Sequence, residues 1–278
     1  MTEPRPITQL TQLCGIVLHP AHHTRSPAMH NAAFEELGID AAYLAFDVAA
    51  HDLAAAIGGM RALGTRQLAI SIPHKEAVMA LVDRVDETAR AIGAVNTVTR
   101  RDDQLIGSNT DWLGGVRALE RAVDLSSARA VVLGAGGTAR ALVFGLLERG
   151  AEVAVLNRTA KRAAKLADEL GAQTAGSLSD LAERPYDVLV NTTSVGLRSD
   201  LSPVEAAWIS PAATVMDVVY DPHETRLLRD AAARGAQTIG GKWMLVYQAA
   251  EQLRLWTGQD APIDTMAAAF DAAGAAAG

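Results

Sequence analysis

Short apolar runs alternate with segments of helical periodicity along most of the chain. From about Leu13 onward, runs typical of buried strands lie at 43–48, 67–72, 130–133, 152–156, 187–190 and 214–218. The segments between them have the spacing of amphipathic helices, as at 51–63 and from Gly241 onward. Ser26 and Pro27 predict an N-cap with proline in the first turn of a helix that stops at Gly38. This alternation predicts an α/β protein.

Composition and charge narrow the class of protein. The 278 residues suffice for one large or two modest domains, and an apolar fraction of 49% is ordinary for a globular chain. With 25 Lys and Arg against 32 Asp and Glu, the net charge of −7 disfavours nucleic acid and membrane surfaces as partners. Cys14 is the single cysteine, which excludes an internal disulfide and a cysteine-type structural zinc site. Because Met1–Leu13 lacks a signal-peptide-like stretch and no apolar run reaches about 18 residues, a cytoplasmic protein is expected.

A glycine-rich loop follows the apolar run at 130–133. It matches G-x-G-x-x-A between a predicted strand and a predicted helix, with the residues Gly134, Ala135, Gly136, Gly137, Thr138 and Ala139. In this pattern the first glycine permits a tight turn, the second lets the backbone approach a pyrophosphate, and the alanine lets helix and strand pack closely. The helix N-terminus adds free amides and a positive dipole end. The loop therefore predicts dinucleotide binding.

The end of the next predicted strand bears on the choice between NAD and NADP. NAD-binding proteins usually have an acidic residue there, which accepts hydrogen bonds from the ribose hydroxyls. This chain has Asn157, Arg158 and Thr159, followed by Lys161 and Arg162. A guanidinium pairs with a 2′-phosphate, and the amide and hydroxyl side chains can hydrogen-bond to it. Because basic charge at a helix N-terminus opposes the helix dipole, the cluster favours NADP over a merely solvated helix start.

Four further segments place polar and charged groups at the ends of predicted elements, where strand–helix proteins usually hold their ligands. In chain order they read HTRSPAMHN from His23, SIPHK from Ser71 with GAVNT from Gly93, GSNTD from Gly107, and GKWMLVYQ from Gly241. Together with the GAGG loop and NRT, these segments resemble the motifs of the shikimate dehydrogenase family over nearly the whole chain. That family has H-S-x-S-P-x-x-H-N, N-V-T-x-P-x-K, G-A-V-N-T, G-x-N-T-D-x-x-G and G-x-x-M-L-x-x-Q.

The resemblance implies a two-domain α/β fold. The N-terminal α/β substrate domain would span 1–110 and be completed by the C-terminal helices at 241–278. A Rossmann-type NADP-binding domain with a parallel sheet would occupy 111–240. The implied activity is reversible NADPH-dependent reduction of 3-dehydroshikimate to shikimate, by a monomer or homodimer whose partner is this small molecule.

The resemblance also implies roles for particular residues. Lys75 and Asp111 would form the catalytic pair. The substrate-binding residues would be Thr24 and Ser26 at the carboxylate, Asn96 and Gln248 at the ring hydroxyls, Ser71 in the same pocket and Tyr220 at the cleft. The chemistry is reasonable in itself, because hydride addition to a ketone leaves an alkoxide that needs a proton from a positioned acid.

Three positions depart from the family's patterns. Thr24 replaces the first serine of H-S-x-S, the N-V-T stretch reads Ala69-Ile70-Ser71, and Leu18 stands in place of a glycine. The catalytic pair and Asn96 are unchanged, so the departures concern the substrate's identity.

The cluster of His19, His22 and His23 resembles a metal site at first sight. A metal needs ligands at defined spacing with a second shell, and the family pattern already has a histidine at 23 in the carboxylate-binding loop. We therefore expect no metal.

Three alternatives stay open. The chain could be a quinate/shikimate dehydrogenase, or a paralogue acting on a related cyclic hydroxy acid. It could be a non-catalytic sensor of the same fold, although the retained Lys75 and Asp111 disfavour this. Another small two-domain NADP dehydrogenase would not need the TRSP, GAVNT and GSNTD segments together.

Overall fold

The computed structural model describes residues 6–275, and the chain divides into two compact units. Unit 1 consists of Met1–Thr110 and Gln248–Gly278, and unit 2 of Asp111–Tyr247. The expectation that Met1–Leu13 is no signal peptide falls in part on residues 1–5, outside the described residues. No helix within 6–275 is long and apolar enough to cross a membrane.

Unit 1 is built on a six-stranded mixed sheet. Its strands are β1 (Gln12–Leu18), β2 (Ala41–Asp47), β3 (Gln67–Ile70), β4 (Arg84–Val85), β5 (Thr97–Arg101) and β6 (Gln104–Ser108). Its helices before residue 110 are α1 (Ser26–Glu36), α2 (Leu53–Ala62) and α3 (Glu87–Ile92). The strand order is β2-β1-β3-β5-β6-β4, with β5 antiparallel to both of its neighbours.

Apolar residues at helical spacing on α2 form part of the core of unit 1. Leu53, Ile57 and Met60 lie on one face of α2 and pack in the same buried cluster as Val17 of β1 and Ile70 of β3. β3 is buried along its whole length: Leu68 to Ile70 form a short apolar run, and the amide of Gln67 at its start is buried through hydrogen bonds.

Unit 2 is a parallel α/β unit. Its strands are β7 (Arg129–Leu133), β8 (Glu152–Leu156), β9 (Thr174–Gly176), β10 (Val188–Asn191), β11 (Thr214–Asp217) and β12 (Gln237–Ile239). Its helices are α4 (Asp111–Leu119), α5 (Gly137–Glu148), α6 (Ala160–Leu170) and α7 (Arg226–Arg234). All pairings are parallel in the order β12-β11-β10-β7-β8-β9, which is the Rossmann order. The predicted parallel-sheet class is confirmed, and the topological switch point lies between β7 and β10.

The helical segment predicted from Gly241 onward is present as two helices. They are α8 (Lys242–Thr257) and α9 (Ile263–Ala275). Gly258, with a φ of +71°, lies just after α8 ends. In unit 1, α9 packs on α1, and the guanidinium of Arg25 lies 4.5 Å from the centroid of the Phe270 ring.

Two sequence expectations differ from the structure near the predicted site. Ser26 is not the N-cap: α1 begins at Ser26 with Arg25 as its cap, and no side chain caps it. The reason is local, because the Thr24 hydroxyl accepts from the Ser26 N–H and donates to the Ser26 hydroxyl, each at 3.3 Å. The helix expected at 51–63 begins instead as a 3₁₀ turn at Ala50–Asp52 before α2.

The hairpin of β5 and β6 was not among the predicted strands. Thr97 and Thr99 of β5 are buried, which removes the apolar alternation that marks a half-buried strand. Each hydroxyl accepts a 2.9 Å hydrogen bond from a buried amide, Gln252 to Thr97 and Gln67 to Thr99. A polar strand face is thus buried through hydrogen bonds that local sequence does not reveal.

Candidate active site

In unit 1, the predicted substrate residues follow the ends of neighbouring strands. The segment with Thr24 and Ser26 follows the carboxyl end of β1, and Ser71 directly follows β3. Asn96 precedes β5, which runs antiparallel to β3, so it reaches the same edge of the sheet. The Ile70 N–H donates to the Asn96 carbonyl at 2.7 Å, which fixes the two segments side by side.

Asn96 is the most constrained of these residues. It is 2% exposed, its Nδ2 donates to the Thr110 hydroxyl at 3.0 Å and to Gln248 Oε1 at 3.3 Å, and its Oδ1 accepts from the Thr110 N–H at 2.8 Å. The Thr110 hydroxyl also donates to the Gln248 carbonyl at 3.0 Å. The structure therefore brings together Asn96 and Gln248, the two residues predicted at the ring hydroxyls.

Thr110 and Gln252 also belong to this network, but the sequence did not single out either residue as part of the site. The Gln252 amide donates to the Thr97 hydroxyl at 2.9 Å and to the Asn96 carbonyl at 3.3 Å. Gln67 in turn donates to the Gln252 carbonyl at 2.9 Å. The available signal was position, because Thr110 lies inside GSNTD and Gln252 stands one helical turn after Gln248.

Lys75 is half-buried and anchored through its backbone. Its carbonyl accepts from the Val95 N–H at 2.8 Å, and the His74 N–H donates to the Ser71 carbonyl at 2.9 Å. His74 is buried, with Nε2 2.8 Å from the Val48 carbonyl. Ser71, Lys75 and the segment before Asn96 are thus held in one compact arrangement.

The histidines after β1 contact neighbouring side chains. Nδ1 of His19 lies 2.7 Å from Asp47, and this hydrogen bond lowers the pKa of the Asp47 carboxyl. His22 and His23 contact each other edge to face at 5.7 Å. Within residues 6–275, no group of three or more His, Cys, Asp or Glu side chains could hold a metal ion.

In unit 2, the glycine loop after β7 has the local geometry predicted for it. Gly134 has a φ of +115°, and a Cβ there would lie 2.6 Å from the Thr192 hydroxyl oxygen, so no other residue fits. A Cβ on Gly136, by contrast, would meet nothing within 4 Å. Gly136 is the N-cap of α5 without a side-chain cap, and Ala139 is fully buried. The amides of the α5 N-terminus therefore border open space, as phosphate binding requires.

The basic segment after β8 is open to solvent. Asn157 is half-buried and donates to the Thr159 carbonyl at 3.1 Å, while Arg158, Thr159 and Arg162 are exposed. Among the described residues 6–275, the guanidinium of Arg158 has no hydrogen-bond or ion-pair partner. A cation with no acid beside it is suited to an anionic ligand.

Two further predicted residues belong to unit 2. Asp111 is the first residue of α4 and is 5% exposed. Tyr220 is half-buried in the loop after β11. This loop follows Asp217, whose carboxylate is fully buried, and burial raises its pKa to about 6.

Comparisons with known proteins agree over nearly the whole chain. Family models match residues 16–98, as the shikimate dehydrogenase substrate binding domain, residues 117–199, as shikimate/quinate 5-dehydrogenase, and residues 241–269, as the shikimate 5′-dehydrogenase C-terminal domain. The shikimate dehydrogenase (NADP(+)) of Thermococcus kodakarensis is 47% identical over 254 residues, covering 89% of this chain and 92% of that protein. That of Natronomonas pharaonis is 45% identical, covering 91% and 96%.

Solved structures give the same result. A shikimate dehydrogenase in complex with NADP+ is 36% identical with a TM-score of 0.91, covering 96% of this chain and 97% of that one. The Thermus thermophilus enzyme, solved with NADP(H) and shikimate, is 39% identical with a TM-score of 0.89, covering 95% and 100%. A quinate dehydrogenase of Corynebacterium glutamicum, solved with NAD, is 30% identical with a TM-score of 0.85, covering 94% and 99%. The resemblance drawn from the motifs is confirmed, and the chain belongs to the shikimate dehydrogenase family.

Proposed function

We propose that this protein catalyses the reversible NADPH-dependent reduction of 3-dehydroshikimate to shikimate. The observation that carries the proposal is the hydrogen-bonded set of Asn96, Thr110 and Gln248 at the strand ends of unit 1. It joins three of the family's motifs within a chain whose relatives are named shikimate dehydrogenase (NADP(+)). The ketone gains a hydride and a proton, and NADPH becomes NADP+.

The substrate's polar groups need hydrogen-bond partners when water is excluded. In this proposal, Thr24 and Ser26 hold the carboxylate through their paired hydroxyls. Asn96 and Gln248 hold ring hydroxyls, and Ser71 lines the same pocket. Nδ2 of Asn96 has two protons, so a ring hydroxyl would replace the 3.3 Å bond to Gln248 Oε1. Because the Thr110 N–H still holds Oδ1, Asn96 would lose little rotamer freedom on binding.

Lys75 and Asp111 are the proposed catalytic pair. Lys75 would hold the oxygen at the reacting carbon and give it a proton in the reductive direction, with Asp111 as the carboxylate of the pair. Tyr220 would contact substrate from the loop after β11. Positioned acid–base groups of this kind typically contribute about 10²–10⁴-fold to rate.

NADP fits the residues of unit 2. Its pyrophosphate would bind at Gly134–Ala139, where the open space beside Gly136 admits a ligand. Its 2′-phosphate would pair with Arg158, supported by Asn157, Thr159 and Arg162. When bound, NADPH supplies the hydride that reduces the ketone carbon.

The proposal assigns a task to each unit. The substrate domain corresponds to residues 1–110 with the C-terminal helices, and the nucleotide domain to 111–240. We propose in addition a cytoplasmic enzyme that is a monomer or homodimer, with no nucleic acid or membrane partner. Light scattering of the purified protein would test the oligomeric state, and fractionation of the source cells would test the location.

The test is an oxidation assay with purified protein. Shikimate and quinate are each offered with NADP+ and with NAD+, and the absorbance of the reduced cofactor is followed. Rapid oxidation of shikimate with NADP+, abolished by Lys75→Ala, is the expected result. Binding of shikimate and NADP+ without turnover would replace the proposal with the sensor alternative.

Quinate is the second candidate substrate. Ser71 and Thr24 depart from the family's patterns, and the quinate dehydrogenase of Corynebacterium glutamicum has the same fold at 30% identity. Both departures keep a hydroxyl donor, so we propose shikimate as the preferred substrate and quinate as a weaker one. A higher kcat/KM for quinate at saturating NADP+ would reverse this order.

A further inference from the structure

Asp217 lies beside the topological switch point of unit 2. It is the last residue of β11, and Asn191 is the last residue of the neighbouring strand β10. β10 is also the neighbour of β7, which leads into the glycine loop. Both side chains are fully buried, and the loops that follow these strands are where a doubly wound sheet forms its ligand crevice.

The Asp217 carboxylate joins three segments. Its Oδ1 accepts from Asn191 Nδ2 at 2.9 Å and from the Val219 N–H at 3.0 Å. Its Oδ2 accepts from the Thr225 hydroxyl at 2.7 Å, and Thr225 is the N-cap of α7. A single side chain therefore holds the loop after β10, the loop after β11 and the start of α7.

Asn191 extends this hydrogen-bond network towards the glycine loop. Its Oδ1 accepts from the N–H of Thr193 at 3.0 Å and from the Thr193 hydroxyl at 2.7 Å, and its Nδ2 also donates to the Val195 carbonyl at 3.2 Å. Thr192, between them, donates to the Leu133 carbonyl at 2.6 Å, and its hydroxyl oxygen occupies the space next to Gly134. The loop after β10 therefore packs directly against the glycine loop at Gly134.

We infer that Asp217 is a positioning residue for the dinucleotide, acting through Asn191 on the loop at 191–195 and through Val219 on the loop that bears Tyr220. It touches no ligand itself, because it is fully buried behind both loops. The inference rests on the proposed function, since it takes NADP as the ligand of this crevice.

Three donors converge on the Asp217 side chain, and this accounts for a carboxylate at this position. Burial raises its pKa to about 6, while the hydrogen bonds from Thr225, Val219 and Asn191 act to lower it. The carboxylate has the acceptor capacity for all three donors at once, whereas an apolar residue would leave the Asn191 amide and the Val219 N–H without this partner. These two donors belong to the segments that border the crevice, so their hydrogen bonds fix the geometry of the loops there.

The test measures the Kd for NADP+ by calorimetry on the full-length protein, well below the melting temperature. Asp217→Ala removes all three hydrogen bonds, and we expect its Kd to rise about ten-fold or more. Asp217→Asn keeps Oδ1 for Asn191 and Val219, and we expect rescue to within about three-fold of wild type. Thr225→Val is the matched control: it loses the bond to Asp217 Oδ2 and the N-cap bond from the Leu228 N–H but keeps both loop bonds, so its Tm should fall while its Kd stays at the wild-type value.

If Asp217→Ala does not fold, Asn191→Ala breaks the same link from the other end and should raise the Kd similarly. A wild-type Kd in a folded Asp217→Ala or Asn191→Ala protein would overturn the inference, as would an equal rise in Thr225→Val. Wild-type protein that binds NADP+ but does not oxidise shikimate would refute the proposed function and leave this inference standing. Wild-type protein that binds no NADP+ would overturn both.

Discussion

The Nδ2 amide of Asn96 donates to Oε1 of Gln248 at 3.3 Å, across 152 residues of chain. Asn96→Ala would leave the buried Thr110 N–H, which now donates to Asn96 Oδ1, without that acceptor. An unmet buried donor costs about 1–3 kcal/mol, and each kcal/mol lowers the Tm by about 2–4 °C in a protein of this size. We therefore expect thermal denaturation at lower temperature together with a raised KM for shikimate. A KM unchanged in Asn96→Ala, with lowered Tm alone, would remove Asn96 from substrate binding.

Arg158 should select NADP+ over NAD+. A charge-assisted hydrogen bond of about 1.5–3 kcal/mol corresponds to a loss of about ten- to a hundred-fold in affinity when one partner is removed. Arg158→Ala should therefore raise the KM for NADP+ by that factor and leave the KM for NAD+ nearly unchanged. Lys165→Ala, which removes one exposed charge from α6, the helix that follows Arg158, is the matched control. Equal losses for both cofactors would show that Arg158 has a structural role.

Lys75 and Asp111 should act together on the chemical step. Lys75→Ala and Asp111→Asn are each expected to lower kcat by about 10²–10⁴-fold, because a positioned proton donor contributes that much. The Kd for NADP+ should stay near the wild-type value. The double variant should lose far less than the product of the two single losses, since residues that act as a unit are not additive. Single-turnover kinetics would measure this, and full activity in either variant would exclude that residue.

Ser71 should tune the choice between shikimate and quinate. Ser71→Thr adds one methyl group and keeps the hydroxyl, and a methyl group discriminates substrates by about 10–200-fold at most. We expect a modest change in the ratio of the two kcat/KM values, with both activities retained. Thr24→Ser, which removes a methyl group at the other departure, provides the comparison. Loss of all activity in Ser71→Thr would mean that the hydroxyl's position matters more than the pocket's volume.

His30 should make the protein less stable at acid pH. Burial lowers its pKa from 6.5 to about 3, and its ring stacks on Tyr43 with centroids 4.1 Å apart. Because the unfolded chain takes up the proton more readily, this contribution to stability is complete above pH 6.5 and is lost as the pH falls towards 3. Between pH 6.5 and 5 the loss is about 2 kcal/mol.

Urea unfolding of wild type and His30→Phe at several pH values measures this effect. The difference between the two proteins isolates His30 from Asp217, whose raised pKa acts in the opposite direction between about 4 and 6. Parallel pH profiles of the two proteins would contradict the expectation.

The amino-acid sequence determined those features whose cause is local. The Gly134–Ala139 segment joins β7 to the first turn of α5, so its turn and helix start were predicted from neighbouring residues. The family was evident for the same reason, since each motif is a short contiguous segment at the end of an element.

Only the tertiary structure decided what depends on distant partners. The polar strand β5 is buried because Gln252, 155 residues later, donates to Thr97, and no local pattern marks such a strand. In the sequence, Asp217 is simply an acidic residue after an apolar run. In the structure it is buried and accepts a hydrogen bond from Asn191, 26 residues earlier, which connects two loops. Burial and long-range hydrogen bonding are properties of the folded arrangement, so a linear pattern could not supply them.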